Sequence, residues 1–432
     1  MGIVRVQNKV LIIEDSRTAI NIVVKLVEQA DLVPVVSQSL TEANHLFMQS
    51  TPEDYLCAIV DYNLPDAPNG QAIDFCLDSI LPTIVVTARM DKGTRDDVLR
   101  REVVDYIPKE NTQTYDYLAR LLKRLEKNKQ IGIVVAGQSR TAAVRMTSLL
   151  RRHNFITYEA NSAERTYQLV RENPEIRLVI TGTDFDDVKS TTIISNLRMD
   201  YAKERLAIIS VHAQEAQLSS ARFIKSGAND FLLTPYCHEE FLCRITQNIE
   251  LIENVEALTA MANSDFLTGL FNRRYFLNKL SGLAVQRGKR YALAVIDLDN
   301  FKQVNDTFGH ENGDVVLVHT ALLLRQHFAD AVIARFGGEE FCVFMADTDA
   351  QTAVDRMEAF RVKVSQQPVT ISQTSINISI SAGLLTAPAS SLVNSISRAD
   401  KLLYQAKNAG RNRIVSDIAF SRALERASQK TP

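Results

Sequence analysis

The stretch VLIIEDSRTAI, Val10–Ile20, returns in weaker form as IVVAGQSRTAA, Ile133–Ala143. Each copy is an apolar run, then a short polar turn, then the start of an amphipathic helix. Further alternation follows both: CAIVDYNLPD and PTIVVT after the first, RLVITGTDFDD and LAIISVHAQ after the second. Each copy closes on a strand and a proline, DYIPK and DFLLTP. Buried strands alternating with helices argue for a parallel sheet covered on both faces. Two α/β domains of similar length are therefore expected, over 1–127 and 130–250.

Composition suits this reading. The chain has 432 residues, 46% hydrophobic and 23% charged, enough for about three soluble domains. A formal net charge of -2 gives no basic field for nucleic acid or anionic membrane. The opening MGIVRVQNKVLIIED runs straight into a strand pattern, so neither a signal peptide nor a transmembrane span is expected. Cys57, Cys76, Cys237, Cys243 and Cys342 form no CxxC pair, mostly sit in apolar runs and read as reduced core residues of a cytoplasmic protein, not as metal ligands. Lys123, Arg124 and Lys127 read as a solvated helix face.

In the first copy Glu14 and Asp15 end one strand, Asp61 a second, Thr87 a third and Lys109 a fourth. The carboxyl ends of parallel strands share one rim, where ligands bind. Three carboxylates there suit Mg²⁺, a hard cation that prefers oxygen. A hydroxyl and a lysine beside them suit a phosphoryl group. This constellation resembles the receiver domain of bacterial response regulators, a flavodoxin-like (βα)5 fold phosphorylated by a histidine kinase or phosphotransfer protein. The resemblance implies that Asp61 is the phosphoacceptor and that Glu14, Asp15 and Asp61 hold Mg²⁺. It also implies that Thr87 and Lys109 grip the phosphoryl group and that Tyr106 is the switch aromatic.

The second copy departs at these places. Gly137 and Gln138 replace the acidic pair, Gly182 the acceptor, His212 the threonine and Thr234 the lysine. Asp184, Asp186 and Asp187 lie near enough to leave a displaced acceptor open. The expectation is a receiver fold without receiver chemistry, used as an adaptor or dimerisation surface. Leu242, Ile245, Ile249 and Ile252 then follow at coiled-coil spacing, shifting to Val255 and Leu258. The first half of that pattern also fits a receiver's last helix on its own sheet. The second half, over 251–263, reads as a helical linker.

The rest of the chain raises a separate question. RFGGEEF, Arg335–Phe341, joins two apolar runs through two glycines and two adjacent acids. Gly337 and Gly338 permit a tight hairpin turn and leave backbone open to a phosphate. The strand ALAVI, 292–296, ends in Asp297 and Asp299. Carboxylates converging from the two strands would hold divalent metal beside a triphosphate. Lys407 and Arg411, one helical turn apart, add cations.

DFLTGLFNRR, DLDNFKQVNDTFGHENGD, RFGGEEF and AKNAGRNR together resemble the GGDEF domain of diguanylate cyclases over 264–416, leaving 417–432 as a tail. Two receivers ahead of it resemble the PleD-type arrangement. The resemblance implies an α+β domain like the nucleotidyl cyclase/polymerase palm, condensing two GTP into cyclic di-GMP with release of pyrophosphate. It implies a Mg²⁺ or Mn²⁺ site of Asp297, the Leu298 carbonyl, Glu339 and Glu340, with Glu339 orienting the 3′-hydroxyl. Asn305 and Asp314 would read guanine, His310 would lie near the sugar, and Lys302, Lys407 and Arg411 would hold phosphates. A homodimer follows, because two half-sites must face each other. Many members carry Arg-x-x-Asp for product feedback; here those positions are Phe328 and Ala331. A non-catalytic GTP or cyclic di-GMP binding scaffold is the alternative. Neither nucleic acid nor membrane is expected as a partner.

Overall fold

The computed structural model describes residues 8–88, 92–109, 112–182, 185, 188–213, 220–281, 290–371, 374–387 and 391–418. Contacts divide the chain into two units, 1–255 and 256–432. Asp184, Asp186 and Asp187 lie outside the described residues, as does most of the 417–432 tail.

The first unit holds two five-stranded parallel sheets. β1 (Lys9–Ile13), β2 (Val33–Ser37), β3 (Tyr55–Val60), β4 (Thr83–Thr87) and β5 (Asp105–Pro108) align in the order 2-1-3-4-5. β6 (Gly132–Ala136), β7 (Ile156–Ala160), β8 (Ile176–Thr181), β9 (Ala207–Ala213) and β10 (Asp230–Thr234) repeat it as 10-9-8-6-7. Read from the opposite edge this is the same winding, so the sequence repeat is a structural repeat. Helices cover both faces, which is why the central strands are apolar throughout: Leu56, Cys57, Ala58 and Val60 are fully buried.

The helix His238–Asn263 settles the coiled-coil question for its first half. Leu242, Ile245, Ile249 and Ile252 are at most 7% exposed, packed with Ile133, Val135 and Leu178 of the second receiver's own core. Their three-and-four spacing serves a sheet, since a helix stripe on a flat partner needs the same periodicity as a helix seam. Further along, Leu258 and Met261 are 66% and 74% exposed. Cys237 and Cys243 near the start of this helix are exposed, so the core reading holds for Cys57, Cys76 and Cys342 alone. Arg124 also departs from its expected solvated place. Its guanidinium forks onto Glu253 at 2.8 and 3.0 Å and is 11% exposed, tying the first receiver's last helix to the second's.

The second unit is α+β. β11 (Phe271–Asn272), β12 (Tyr291–Leu298), β13 (Val332–Gly337) and β14 (Glu340–Ala346) contribute to one mixed sheet. β15 (Val369–Ile371) and β16 (Thr374–Ile376) pair apart from it, and β17 (Ile380–Leu385) and β18 (Ile414–Ser416) complete it. The strand order is 11-13-14-12-17-18, with β12 central and antiparallel to both neighbours. Every residue of β12 is buried. Its cover is the helix Leu392–Asn408, held close by Gly383 of β17. A Cβ there would stand 2.0 Å from the Ala399 carbonyl oxygen and 2.3 Å from the Leu403 nitrogen.

Candidate active site

The first receiver's rim gathers its expected residues. Glu14, Asp15 and Asp61 each place a carboxylate oxygen within 4.8 Å of the others, a spacing one hard cation can bridge. Lys109 Nζ lies 2.6 Å from both Glu14 Oε2 and Asp61 Oδ2. Burial pushes the Glu14 carboxyl above its ordinary range, although Lys109 pulls it down. Burial works against the Lys109 ammonium, but its two carboxylate partners hold its pKa above the usual value. Thr87 is buried at the end of β4, and Tyr106 is half-buried against the core that contains Leu11 and Val60.

At the same rim of the second receiver the space beside Gly182 is occupied. A Cβ on Gly182 would meet Gln138 Nε2 at 2.2 Å and the Gly137 carbonyl oxygen at 2.4 Å. The Gln138 carboxamide thus lies where an acceptor side chain would project. His212 accepts or donates at 2.7 Å to Ser210 Oγ and stacks on Phe223 at 4.1 Å.

In the second unit the hairpin does what its sequence asks. β14 pairs with β12 so that Glu340 stands opposite Asp297, and the Leu298 N–H donates to the Glu339 carbonyl at 3.3 Å. Gly338 has φ +51 and Gly337 φ +149, and nothing lies within 4 Å of a Cβ at either. The turn is therefore open, with bare backbone facing outward. Arg335 steadies it by donating from Nε and Nη2 to the Gly338 carbonyl at 2.9 and 2.7 Å. The same guanidinium pairs with Asp265 at 3.1 Å, so the entry loop DFLTG braces the turn.

Lys407 Nζ lies 2.7 Å from Asp297 Oδ2, where Asp297 is 6% exposed and Lys407 32%. Among the described residues the Asp297, Glu339 and Glu340 carboxylates do not close to the spacing seen in the first receiver. Their types and strand register nevertheless fit a hard divalent cation. Burial pushes the Asp297 carboxyl up to about 6; Lys407 opposes this, and Glu339 and Glu340 add to it. Two consequences follow with opposite signs. The folded state holds the extra proton between pH 3.8 and about 6, so ionising Asp297 lowers folding stability as pH rises through that window. Metal needs the ionised form, so Mn²⁺ binding to this unit should weaken progressively below about pH 6. Calorimetric Mn²⁺ titrations between pH 5 and 7.5 check this; affinity that stays flat across that range would contradict it.

Asn305 lies in the helix Phe301–Phe308, and its side-chain oxygen is buried with no hydrogen-bond partner. Gly313 makes the room, since a Cβ there would sit 1.9 Å from that oxygen. A buried, unsatisfied carbonyl oxygen suits a ligand that brings a hydrogen-bond donor. Lys302, His310 and Asp314 are exposed on this and the following helix, His310–His327. The helix that carries Lys407 ends at Asn408, so Arg411 does not follow one helical turn further on; it is exposed in the turn beyond, at φ +63.

Sequence reasoning noticed Asp299 without finding its work. It is 8% exposed and accepts from Ser379 Oγ at 2.7 Å, Ser381 Oγ at 2.6 Å and the Asn412 N–H at 3.0 Å. It anchors the turn behind Lys407 to the strand carrying Asp297. The only signal was a second acid two residues after the first. Asp265 and Arg335 were likewise visible as motif letters but had no partners until the chain folded, and Gly383 lay outside every motif.

Two flavodoxin-like α/β domains precede an α+β domain whose acidic hairpin lies beside a lysine. The profile of the family described as "Diguanylate cyclase, GGDEF domain" matches residues 262–413. The response regulator PleD of Caulobacter vibrioides is 27% identical over 378 residues, 78% of this chain and 83% of that protein. Diguanylate cyclase VdcA of Vibrio cholerae is 29% identical over 271 residues, 61% of this chain and 80% of that protein. A crystal structure of a two-component system response regulator/GGDEF domain protein is 33% identical with a TM-score of 0.50. It covers 57% of this chain and all of that one. The chain belongs to the response regulators that carry a GGDEF domain, and it is a diguanylate cyclase. No helix among the described residues is long and apolar enough to cross a membrane.

Proposed function

We propose that this diguanylate cyclase is the output of a two-component system, switched by phosphate on Asp61. The observation that carries the reading is the Glu14–Asp15–Asp61 cluster capped by Lys109, on the same chain as an acidic hairpin with all its acids present. Asp297, the Leu298 carbonyl, Glu339 and Glu340 would hold Mg²⁺ or Mn²⁺, which would neutralise triphosphate charge and favour ionisation of the attacking hydroxyl. The chain's own groups do the rest. Asn305 and Asp314 read guanine, and Lys302, Lys407 and Arg411 receive the phosphates. The open Gly337–Gly338 backbone lets the triphosphate approach. Glu339 orients the 3′-hydroxyl, and His310 lies near the sugar. Each domain holds one GTP, so two chains must face each other. The exposed Leu258 and Met261 end of the long helix and the closed second receiver are the surfaces offered for that pairing.

Purified protein with GTP and Mg²⁺, assayed for cyclic di-GMP with and without acetyl phosphate, tests this. Activity per chain should rise with concentration until dimers saturate, and the phosphodonor should shift that curve. Asp61→Asn should abolish the shift while leaving GTP turnover measurable. A shift that persists in Asp61→Asn would reject Asp61 as the acceptor.

Product feedback should be weak. Phe328 is fully buried against Phe360, and Arg356 lies 5.2 Å over its ring while pairing with Asp330. A core phenylalanine has no guanidinium to grip phosphate. Phe328→Arg should therefore unfold the domain before it confers inhibition, since it buries a charge where a ring was packed. Thermal melting alongside product-inhibition curves checks this; a stable, strongly inhibited variant would contradict it.

A further inference from the structure

The geometry points to Lys407 as a cation placeholder: its ammonium occupies the Asp297 carboxylate until nucleotide arrives, then moves to the triphosphate and so couples nucleotide binding to metal binding. This rests on the assignment of Asp297 as a metal ligand. Three observations carry it. The ammonium lies 2.7 Å from Asp297 Oδ2, the distance of a charge-assisted hydrogen bond, and among the described residues it forms no other ion pair. Among the described residues the Asp297, Glu339 and Glu340 carboxylates are not drawn together as those of the first receiver are, and the cation paired with Asp297 is the Lys407 ammonium. Finally, the backbone beneath Lys407 is fixed at both sides. Gly383 seats the helix at residues 399–403, and Asp299 holds the Asn412 N–H at 3.0 Å.

With the helix pinned, the movable part is the four-carbon stem of Lys407, which is 32% exposed. A short swing suffices. An ammonium and a divalent cation cannot share one carboxylate oxygen without strong repulsion. Metal entering alone must therefore displace Lys407 into water, whereas metal entering with a triphosphate gives the ammonium a new anionic partner. Each ligand should then raise the other's affinity, and by linkage the factor is the same in both directions. Direct contact between metal and phosphate also couples them, but that contributes equally with or without the lysine. The part carried by Lys407 is isolated by comparing the two proteins.

The test uses the full chain in an Asp15→Asn background, which removes a ligand from the receiver's cluster so that heats report the cyclase site. Mn²⁺ and the α,β-methylene analogue of GTP are titrated separately and together by calorimetry, for Lys407 and for Lys407→Gln. Removing the ammonium should tighten Mn²⁺ binding to nucleotide-free protein, by on the order of fivefold for a partly buried pair. It should also weaken the analogue and shrink the coupling factor between the two ligands. Mn²⁺ affinity that is unchanged or weaker in Lys407→Gln, or an unchanged coupling factor, overturns the proposal. Absence of Mn²⁺ binding in both proteins with the analogue present would instead reject Asp297 as a metal ligand, which separates the two failures.

Discussion

Glu339→Ala is expected to lower cyclic di-GMP formation by about a thousandfold or more, because it removes charge that acts mainly on the transition state. GTP should still bind. The guanine and phosphate partners proposed for it sit elsewhere: Asn305 in the helix Phe301–Phe308, Lys407 at the end of the last helix. Glu339 occupies the turn of the β13–β14 hairpin, with its carbonyl accepting from Leu298 and its neighbour Glu340 opposite Asp297. Truncating the side chain keeps those backbone bonds, so the loss reports chemistry and not unfolding. Product quantified by chromatography, with GTP-analogue binding and melting temperature measured on the same preparation, makes the check. Retained turnover would sink the assignment of this hairpin as the catalytic centre.

The second large effect is expected far from any acid. Gly383→Ala should destabilise the cyclase unit by about 3 kcal/mol or more, because the added methyl meets backbone and not a flexible side chain. The Ala399 carbonyl oxygen at 2.0 Å and the Leu403 nitrogen at 2.3 Å cannot rotate away. The whole helix Leu392–Asn408 must lift, with Ala399, Leu402, Leu403 and Ala406 losing part of their burial. Lys407 would lift with it, so activity should fall even in the fraction that stays folded. At this size a loss of that magnitude lowers the melting temperature by on the order of 10 °C. A melting point within about 2 °C of the parent would show that the helix yields more cheaply than its backbone contacts imply.

Both effects illustrate where reading a sequence succeeds and where it stops. VLIIED and its copy IVVAGQ announced two parallel sheets because buried strands and the helices between them are local patterns. Periodicity survives translation into structure whenever one element decides it. Asp61, Thr87 and Lys109 could be placed on one rim for the same reason: in a parallel sheet every strand ends on the same side, so position along a strand fixes position in space. The lack of a carboxylate at residue 182 of the second receiver was likewise legible from letters alone, as Gly182.

What filled that absence was not. Gln138 lies across the Gly182 position because two strand ends converge, and no spacing rule relates residues 44 apart by a side-chain contact. The seam of Leu242, Ile245, Ile249 and Ile252 was ambiguous because a helix presents one apolar stripe whether its partner is a sheet or another helix. Only the fold chose the sheet. Asp299 and Gly383 had no readable role for a related reason. Their partners, Asn412 and Ala399, come from distant segments, and a carboxylate or a missing Cβ acquires meaning only from what stands opposite. The sequence by itself determined which chemical groups line the two sites and which strands carry them. Tertiary structure decided their partners, because hydrogen bonds, ion pairs and close backbone contacts depend on distances that chain order does not contain.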